Sequence, residues 1–233
     1  MIADLFAWFA DPAHWSGENG VPARVLEHLG YSALALLLAA AIALPVGVWI
    51  GHTGKGRRAV VALSSALRAL PTLGLLTFLA IVLQIGLRQA LIPTVIVLVV
   101  LAVPPLLAGT YAGLQAVPRE VVHAARAHGH STAQLIGAVE LPLALPMIVG
   151  GLRSAVLQVL ATTSVAAYLG LGGLGRYLFD ALAVQDYPTM LAGAVLIALL
   201  ALVSDAVLLT AQRLVTPRGL RPHRGAGPGS APA

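Results

Sequence analysis

Residues 115–146 read QAVPREVVHAARAHGHSTAQLIGAVELPLALP and form the longest polar interruption in an otherwise apolar chain. Pro118 is suited to a helix start, and no helix breaker follows it before Gly129. Ser131 is suited to cap a second helix that continues to Glu140. The sequence therefore predicts a helix, a glycine turn and a second helix between two apolar segments.

Apolar runs flank this segment on both sides. The chain has 58% hydrophobic and 10% charged residues and a mean hydropathy of +0.89, whereas soluble domains carry about a quarter charged residues. Runs of roughly 20 apolar residues match the thickness of a lipid bilayer. We therefore predict an all-α integral membrane protein with about five transmembrane helices, at residues 29–50, 59–86, 90–114, 145–168 and 189–214.

Proline and glycine interrupt several of these predicted spans. Pro71 and Gly74 lie inside the second span, and Pro104 and Pro105 lie inside the third. Proline removes a backbone donor and kinks a helix, which a membrane protein tolerates where other helices cover the freed groups. We therefore expect bent helices that pack against one another.

Basic residues are concentrated on one side of the predicted spans. That side holds Lys55, Arg57, Arg58, Arg119, Arg126, Arg213, Arg218, Arg221 and Arg224, and the other side holds Arg24, Arg88 and Arg176. Cytoplasmic loops carry the excess of lysine and arginine, so we expect the N-terminus outside and the C-terminus in the cytoplasm. Because the basic residues sit in short loops rather than on one polar face, the net charge of +5 does not indicate a nucleic-acid partner.

This topology divides the chain into three parts. Residues 1–28 are expected to be an N-terminal periplasmic or interfacial segment without a signal peptide, in which Trp8 and Trp15 favour the headgroup level. Residues 29–215 are expected to form the transmembrane domain, with the polar loop inside it. Residues 216–233 are rich in Pro, Gly and Arg without periodicity, so we expect a disordered basic cytoplasmic tail.

The polar loop carries residues at characteristic intervals. His123-Ala124-Ala125 is followed after three residues by Gly129, and nine residues later come Val139 and then Leu141-Pro142. With these intervals the loop resembles that of ABC importer permeases, whose pattern is Glu-Ala-Ala, three residues, Gly, about nine residues, an apolar residue, any residue and Leu-Pro. His123 departs from this pattern, because it occupies the position where the family usually has Glu.

Further stretches resemble the osmoprotectant branch of these permeases, which import betaine, choline and carnitine. They are VELPLALPMIVGGLRSAV from Val139, LATTSVAAYLGLGGLGRYL from Leu160, ALPVGVWIG at residues 43–51 and ALRALPTLGLL at residues 66–76. The resemblance covers roughly residues 28 to 215. It implies a type I ABC importer permease fold in a bacterial cell membrane and a small osmoprotectant as the transported molecule.

The resemblance also implies partners and a coupling site. A cytoplasmic ATPase subunit would seat the helix–turn–helix loop, hereafter the coupling loop, an extracytoplasmic binding protein would deliver the ligand, and a second permease chain, identical or a sister, would complete the pore. The family pattern places the coupling site at Glu120, His123, Ala124, Ala125, Gly129, Leu141 and Pro142.

The chain itself is predicted to be non-catalytic. No GxxxxGK[ST] stretch is present to cradle nucleotide phosphates, and neither GxSxG nor HExxH occurs. The absence of cysteine excludes thiolate chemistry and cysteine metal sites. We therefore expect no catalytic residue, no metal site and no cofactor.

Polar residues within the predicted spans and glycines outside them are candidates for the transport pathway or a gate. They are Gln158, Thr162, Thr163, Ser164, Gly172, Gly173, Gly175 and Asp205. Each has a structural alternative: the hydroxyl and amide groups can bridge helices, the glycines can form a flexible connection, and the intramembrane carboxylate can pair with a neighbour. Arg153 is expected to extend toward the cytoplasmic headgroups.

Three other functions stay open from the sequence. A permease for an amino acid such as methionine would share the loop pattern. A self-sufficient secondary transporter would use inverted repeats or an ionisable site at mid-membrane, and Asp205 is one such acid. An intramembrane hydrolase would need a serine and a histidine at the same depth, but all seven histidines fall in loops or at span edges.

Overall fold

The computed structural model describes residues 2–84 and 89–216, apart from the side chains of Leu63 and Arg68. Arg88 and the predicted tail beyond Thr216 lie outside the described residues. Every regular element within them is helical. The α-helices are α1 (Ile2–Ala10), α2 (Val21–Thr53), α3 (Arg57–Arg68), α4 (Thr72–Val82), α5 (Leu91–Gln115), α6 (Arg119–Ala127), α7 (Thr132–Leu135), α8 (Leu141–Thr163), α9 (Arg176–Val184) and α10 (Tyr187–Val215).

Four helical segments are long and apolar enough to cross a membrane. They are α2, α5, α10 and a continuous segment at Thr132–Leu169 that contains α7 and α8. Helices α3 and α4 together provide a fifth candidate span, bent by 89° at a short break. The prediction of an all-α protein with about five spans is thus confirmed, with the second span as a sharply bent pair of helices.

The break in the second span follows from Pro71. Its φ of −67° and ψ of 117° place it in an extended conformation before α4, while α3 ends with Ala69 as its C-terminal cap. Proline offers no backbone N–H and disfavours helical geometry in the residue before it. The chain therefore leaves the helix at Leu70 and resumes it at Thr72.

Helices α2, α5 and α8 form the centre of the protein through small residues. Ala35, Ala39 and Ala43 follow one another at helical spacing on α2, and none of the three is exposed. Between α5 and α8, a Cβ added to Gly109 would lie 2.6 Å from Cα of Gly151. Small side chains let the helix backbones approach closely, which is how helices gain packing energy within lipid.

The N-terminal helix packs against the other helices instead of lying apart from them. Trp8 is only 6% exposed and belongs to a cluster with Leu174 and Ala192, with its ring centroid 5.4 Å from that of Tyr177. Trp15 remains 45% exposed, as suits a headgroup-level indole. Helix α1 buries this ring against α9 and α10, and the position of Trp8 relative to the lipid headgroups stays a prediction. Helix α2 also begins earlier than the predicted span.

Candidate functional site

The coupling loop contains the predicted pair of helices. Helix α6 follows Pro118, and the backbone turns at Gly129, where φ is +82°. Ser131 caps α7 through two reciprocal hydrogen bonds with Gln134. Its Oγ accepts from the Gln134 N–H at 3.3 Å, and its own N–H donates to Oε1 of Gln134 at 2.9 Å. Because glycine adopts a positive φ without strain, Gly129 allows the chain to change direction between the two helices.

The second helix of the loop does not end at Glu140. The N–H of Leu141 bonds to the carbonyl of Ile136, which makes a π-helical turn, and Pro142 immediately after it has no N–H to continue the regular pattern. Helix α8 follows directly, so one helical segment runs over Thr132–Leu169. The loop and the fourth span are therefore connected without an intervening flexible segment.

Helix α6 has no buried residue and presents two different sides. Arg119, His123 and Arg126, spaced along one face, line a cavity of about 350 Å³. Val121 and Ala124 lie on the opposite face and are exposed. An exposed apolar face on a helix that projects from a membrane protein is typical of a protein-binding surface.

The residues predicted for the coupling site are divided between these environments. Glu120 is exposed on α6, Ala125 is half-buried, and Leu141 and Pro142 are half-buried in the first turn of α8. Of the predicted set, His123 alone lines the cavity beside α6 in the described part of the chain. The structure thus spreads the set over α6, the turn at Gly129 and the start of α8.

A pair of residues at this cavity was not predicted from the sequence. Nδ1 of His52, in the last turn of α2, lies 2.8 Å from Oε2 of Glu140, and the two side chains are 13% and 7% exposed. The pair connects the coupling loop to the end of the first span. The sequence offered one signal for this pair, the single carboxylate of Glu140 at the start of an apolar segment. Burial of such a group requires a partner.

A second cavity lies beside the break between α3 and α4. It has a volume of about 430 Å³ and is lined by Leu70, Thr72, Leu101, Pro105, Ser154 and Gln158. Non-helical backbone within a membrane is tolerated where protein buries it or where it lines a hydrated cavity. Gln158 was predicted as a pathway candidate, whereas Ser154, one helical turn earlier, was not. We refer to this cavity as the polar cavity.

The three hydroxyl residues after Gln158 make contacts within their own helix and to α2. Thr162 and Ser164 donate to the carbonyls of Gln158 and Ala161, both at 2.8 Å. Thr163 is 1% exposed, and its Oγ1 lies 2.9 Å from Oγ of Ser32 on α2. Thr163 therefore occupies a helix–helix contact, and these three residues do not line the polar cavity among the described residues.

The glycine-rich turn at residues 170–175 packs tightly on α2 and α8. The N–H of Gly173 donates to Oε2 of Glu27 at 2.7 Å. A side chain at Gly172 would overlap the Glu27 carboxylate, and one at Gly175 would overlap the backbone oxygen of Ser164. Gly172 and Gly175 thus permit close approach of the turn, and Gly173, with a φ of +89°, supplies the N–H that binds Glu27.

Other polar contacts join the region around this glycine-rich turn. His28 is fully buried, and its Nε2 donates to the carbonyl of Leu160 at 2.9 Å. The hydroxyl of Tyr177 donates to the carbonyl of Asn19 at 2.8 Å. Burial raises the pKa of the Tyr177 hydroxyl above its ordinary value, so the group stays protonated and able to donate. These contacts hold α8 against the N-terminal part of α2 and α9 against the residues just before α2.

Arg153 and Asp205 form a two-point ion pair between α8 and α10. Nε of Arg153 lies 2.6 Å from Oδ1 of Asp205, and Nη2 lies 3.0 Å from Oδ2. Gln212 extends this contact, because its Oε1 accepts from Nη1 of Arg153 at 3.4 Å while its Nε2 donates to the carbonyl of Pro146 at 2.7 Å. Arg153 therefore has Asp205 as its partner, and pairing of this kind is how proteins accommodate charges within membranes. The expected position of Arg153 near the cytoplasmic headgroups stays a prediction.

Solved structures share this arrangement of helices. The inward-facing MetNI methionine ABC transporter contains a chain that superposes with a TM-score of 0.71 at 24% identity, over 84% of this chain and 96% of that chain. A chain of an amino acid ABC transporter crystallised with histidines superposes with a TM-score of 0.61 at 20% identity, over 84% of this chain and 92% of that chain. At these identities the likeness establishes the fold alone.

Sequence relatives extend over most of the chain. The choline transport system permease protein OpuBB of Bacillus subtilis (strain 168) is 31% identical over 85% of this chain and 89% of its own length. The glycine betaine/carnitine/choline transport system permease protein OpuCB of the same strain is 33% identical over 84% and 88%. The osmoprotectant import permease protein OsmW of Salmonella typhimurium (strain LT2) is 31% identical over 91% and 100%.

A family pattern matches the chain as well. Residues 43–219 match the family described as binding-protein-dependent transport system inner membrane component. The match includes the coupling loop, the residues that line the polar cavity and the glycine-rich turn. The resemblance predicted from the loop is confirmed, and the chain belongs to the family of binding-protein-dependent transport system inner membrane components.

Proposed function

We propose that this chain is the permease subunit of an ATP-driven importer and conducts a small osmoprotectant of the glycine betaine, choline or carnitine type. The observation that carries this proposal is identity of 31–33% to permeases named for these compounds, along at least 84% of the chain. Likeness to a methionine transporter concerns the fold alone. It does not favour methionine as the transported molecule.

The exposed face of α6 supports docking of a separate ATPase subunit. Val121 is 41% exposed there and lies next to the exposed Ala124, so a partner helix or groove can approach closely. Motion of α6 would pass through the turn at Gly129 into the helical segment at Thr132–Leu169, because that segment has no flexible interruption. ATP hydrolysis is assigned to the partner, and this chain transmits its motion to the membrane.

The polar cavity is our candidate for part of the translocation pathway. Ser154 and Gln158 are exposed on one face of α8 and line it together with Thr72 at the broken second span. A polar face open to one side of a membrane protein is suited to lie at an interface with a second permease chain, identical or a sister. The lining residues include no aromatic ring, so cation–π recognition of a quaternary ammonium is assigned to the binding protein.

The distribution of charge supports an orientation with the coupling loop in the cytoplasm. The His52–Glu140 contact joins the end of α2 to the loop. The loop therefore lies at the same end of the spans as the basic residues that follow His52, namely Lys55, Arg57 and Arg58. The outer glycine turn would then face the extracytoplasmic binding protein. In this orientation the tightly packed turn closes the outer end of the pathway.

Uptake of labelled glycine betaine tests the proposal. The chain would be expressed with a candidate ATPase subunit and a candidate binding protein, in a bacterial strain that lacks its own osmoprotectant importers. We expect accumulation of glycine betaine, choline or carnitine that requires all three components. A strain that accumulates methionine under the same conditions, or that accumulates betaine without the ATPase, would contradict the assignment.

A further inference from the structure

Three arginines surround the cavity beside α6. Arg57, Arg119 and Arg126 line this space of about 350 Å³ together with His52 and Glu140. Glu140 is the only carboxylate among the lining residues, and its Oε2 is engaged by His52 at 2.8 Å. We call this space the basic cavity, because three guanidinium groups face a single carboxylate that already has a partner.

Among the described residues, no other carboxylate forms an ion pair with these arginines. All nine Asp and Glu residues fall within residues 2–84 and 89–216, and none of them forms an ion pair with Arg57, Arg119 or Arg126. Glu120 lies on α6 but does not line the cavity. The three arginines are exposed, and their uncompensated positive charge favours binding of an anion from outside the chain.

The basic cavity lies where two membrane spans end. Gly51 and His52 are in the last turn of α2, and Leu114 is in the last turn of α5. The two ends are in contact, since a Cβ added to Gly51 would lie 2.6 Å from the Cβ of Leu114. The end of a transmembrane helix lies near the lipid headgroups, so this is the depth at which lipid phosphates occur.

An apolar groove adjoins the basic cavity and shares His52 with it. The groove has a volume of about 760 Å³, and its walls come from α2 and from the start of the fourth span, through Leu44, Val48, Trp49, Leu141, Leu145 and Ile148. Trp49 is 55% exposed within it. The groove runs along the membrane-spanning parts of these helices, where lipid chains are the surrounding solvent.

We propose that the basic cavity and the apolar groove together bind an anionic phospholipid, with its phosphate at Arg57, Arg119 and Arg126 and an acyl chain in the groove. A carboxylate of a partner protein could satisfy the arginines but would leave the apolar groove unexplained. A lipid satisfies both, because its charged and apolar parts are joined at the depth where the two spaces meet. This binding requires neither the ATPase nor the transport proposal.

Fluorescence of Trp49 tests the proposal in the full-length chain. Replacing Trp8 and Trp15 by Phe leaves Trp49 as the only indole among the three tryptophans. In nanodiscs of phosphatidylcholine, small amounts of phosphatidylglycerol with brominated chains should quench Trp49 at a mole fraction on the order of ten-fold lower than brominated phosphatidylcholine. The matched chain with Trp15 alone should show no such preference.

Substitution of the arginines identifies the binding residues. Combining Arg57→Gln, Arg119→Gln and Arg126→Gln should abolish the preference for phosphatidylglycerol, whereas Arg213→Gln, on the same side but outside the cavity, should retain it. Equal quenching by both lipids, or a preference that survives the triple substitution, would overturn the proposal. Loss of ATPase co-purification with an unchanged lipid preference would likewise overturn it and assign the arginines to a protein carboxylate. Because the readout is lipid binding, failure here leaves the uptake experiment unaffected.

Discussion

Glu140 accepts a hydrogen bond of 2.8 Å from Nδ1 of His52 across 88 residues of sequence. The first residue belongs to the π-helical turn that joins the coupling loop to the fourth span, and the second belongs to the last turn of α2. Both side chains are largely buried, so neither is freely hydrated. The contact therefore ties the moving loop of the proposed mechanism to the first membrane span.

Removal of this carboxylate should destabilise the folded protein. Glu140→Ala leaves the buried imidazole of His52 without its partner, and an unsatisfied buried polar group costs about 1–3 kcal/mol. We expect a lower Tm of the purified chain in detergent. Glu120→Ala is the matched control, because this glutamate is exposed on α6 and should leave the Tm nearly unchanged. An equal Tm for both variants would show that the contact contributes nothing to stability.

The turn of the coupling loop should tolerate only glycine at residue 129. Gly129 has a φ of +82°, and a side chain in this left-handed region costs about 1–2 kcal/mol even though a Cβ there would meet no neighbouring atom. We expect Gly129→Ala to weaken co-purification of the ATPase. Gly137→Ala provides the comparison, because this position is helical and equally open. Undiminished ATPase binding by Gly129→Ala would argue against docking through this loop.

The polar cavity should govern the rate of transport. Gln158→Leu removes an exposed amide from its wall, and loss of one hydrogen bond of about 1 kcal/mol predicts roughly five-fold slower uptake of glycine betaine. Thr210→Val serves as the control, because the Thr210 hydroxyl bonds only to the Ala206 carbonyl of its own helix. Uptake that falls equally in both variants would point to a general defect in the membrane domain instead of a pathway residue.

The orientation can be measured with introduced cysteines, because the chain has none of its own. Ser16→Cys and Ala127→Cys place single thiols at exposed positions at opposite ends of the spans. In intact spheroplasts, a membrane-impermeant maleimide should label residue 16 and leave residue 127 unlabelled until the membrane is opened. The reverse pattern would put the coupling loop outside, where no cytoplasmic ATPase reaches it.

Local features of the coupling loop were predictable from the sequence. Pro118, Gly129 and Ser131 each act on the backbone within about one helical turn, so their effects are readable without knowing what packs nearby. Membrane spans were likewise visible as apolar runs. The sequence also located an interruption at Pro71, although the 89° bend that follows from it depends on what α3 and α4 pack against. The extension of the fourth span back to Thr132 was missed, because Pro142 produces a π-helical turn where a helix end was expected.

The long-range contacts were decided only by tertiary structure. The sequence separation is 88 residues between His52 and Glu140 and 52 residues between Arg153 and Asp205. No local pattern links the members of either pair. Close packing at small residues such as Gly109 and Gly151 sets the distance and rotation of the helices, and these determine which charged side chains meet. The sequence by itself thus specified a helical membrane protein with a bent loop. Packing between helices decided which charged side chains pair with each other and which remain open to a ligand. Such contacts depend on the positions of residues that are far apart in the sequence.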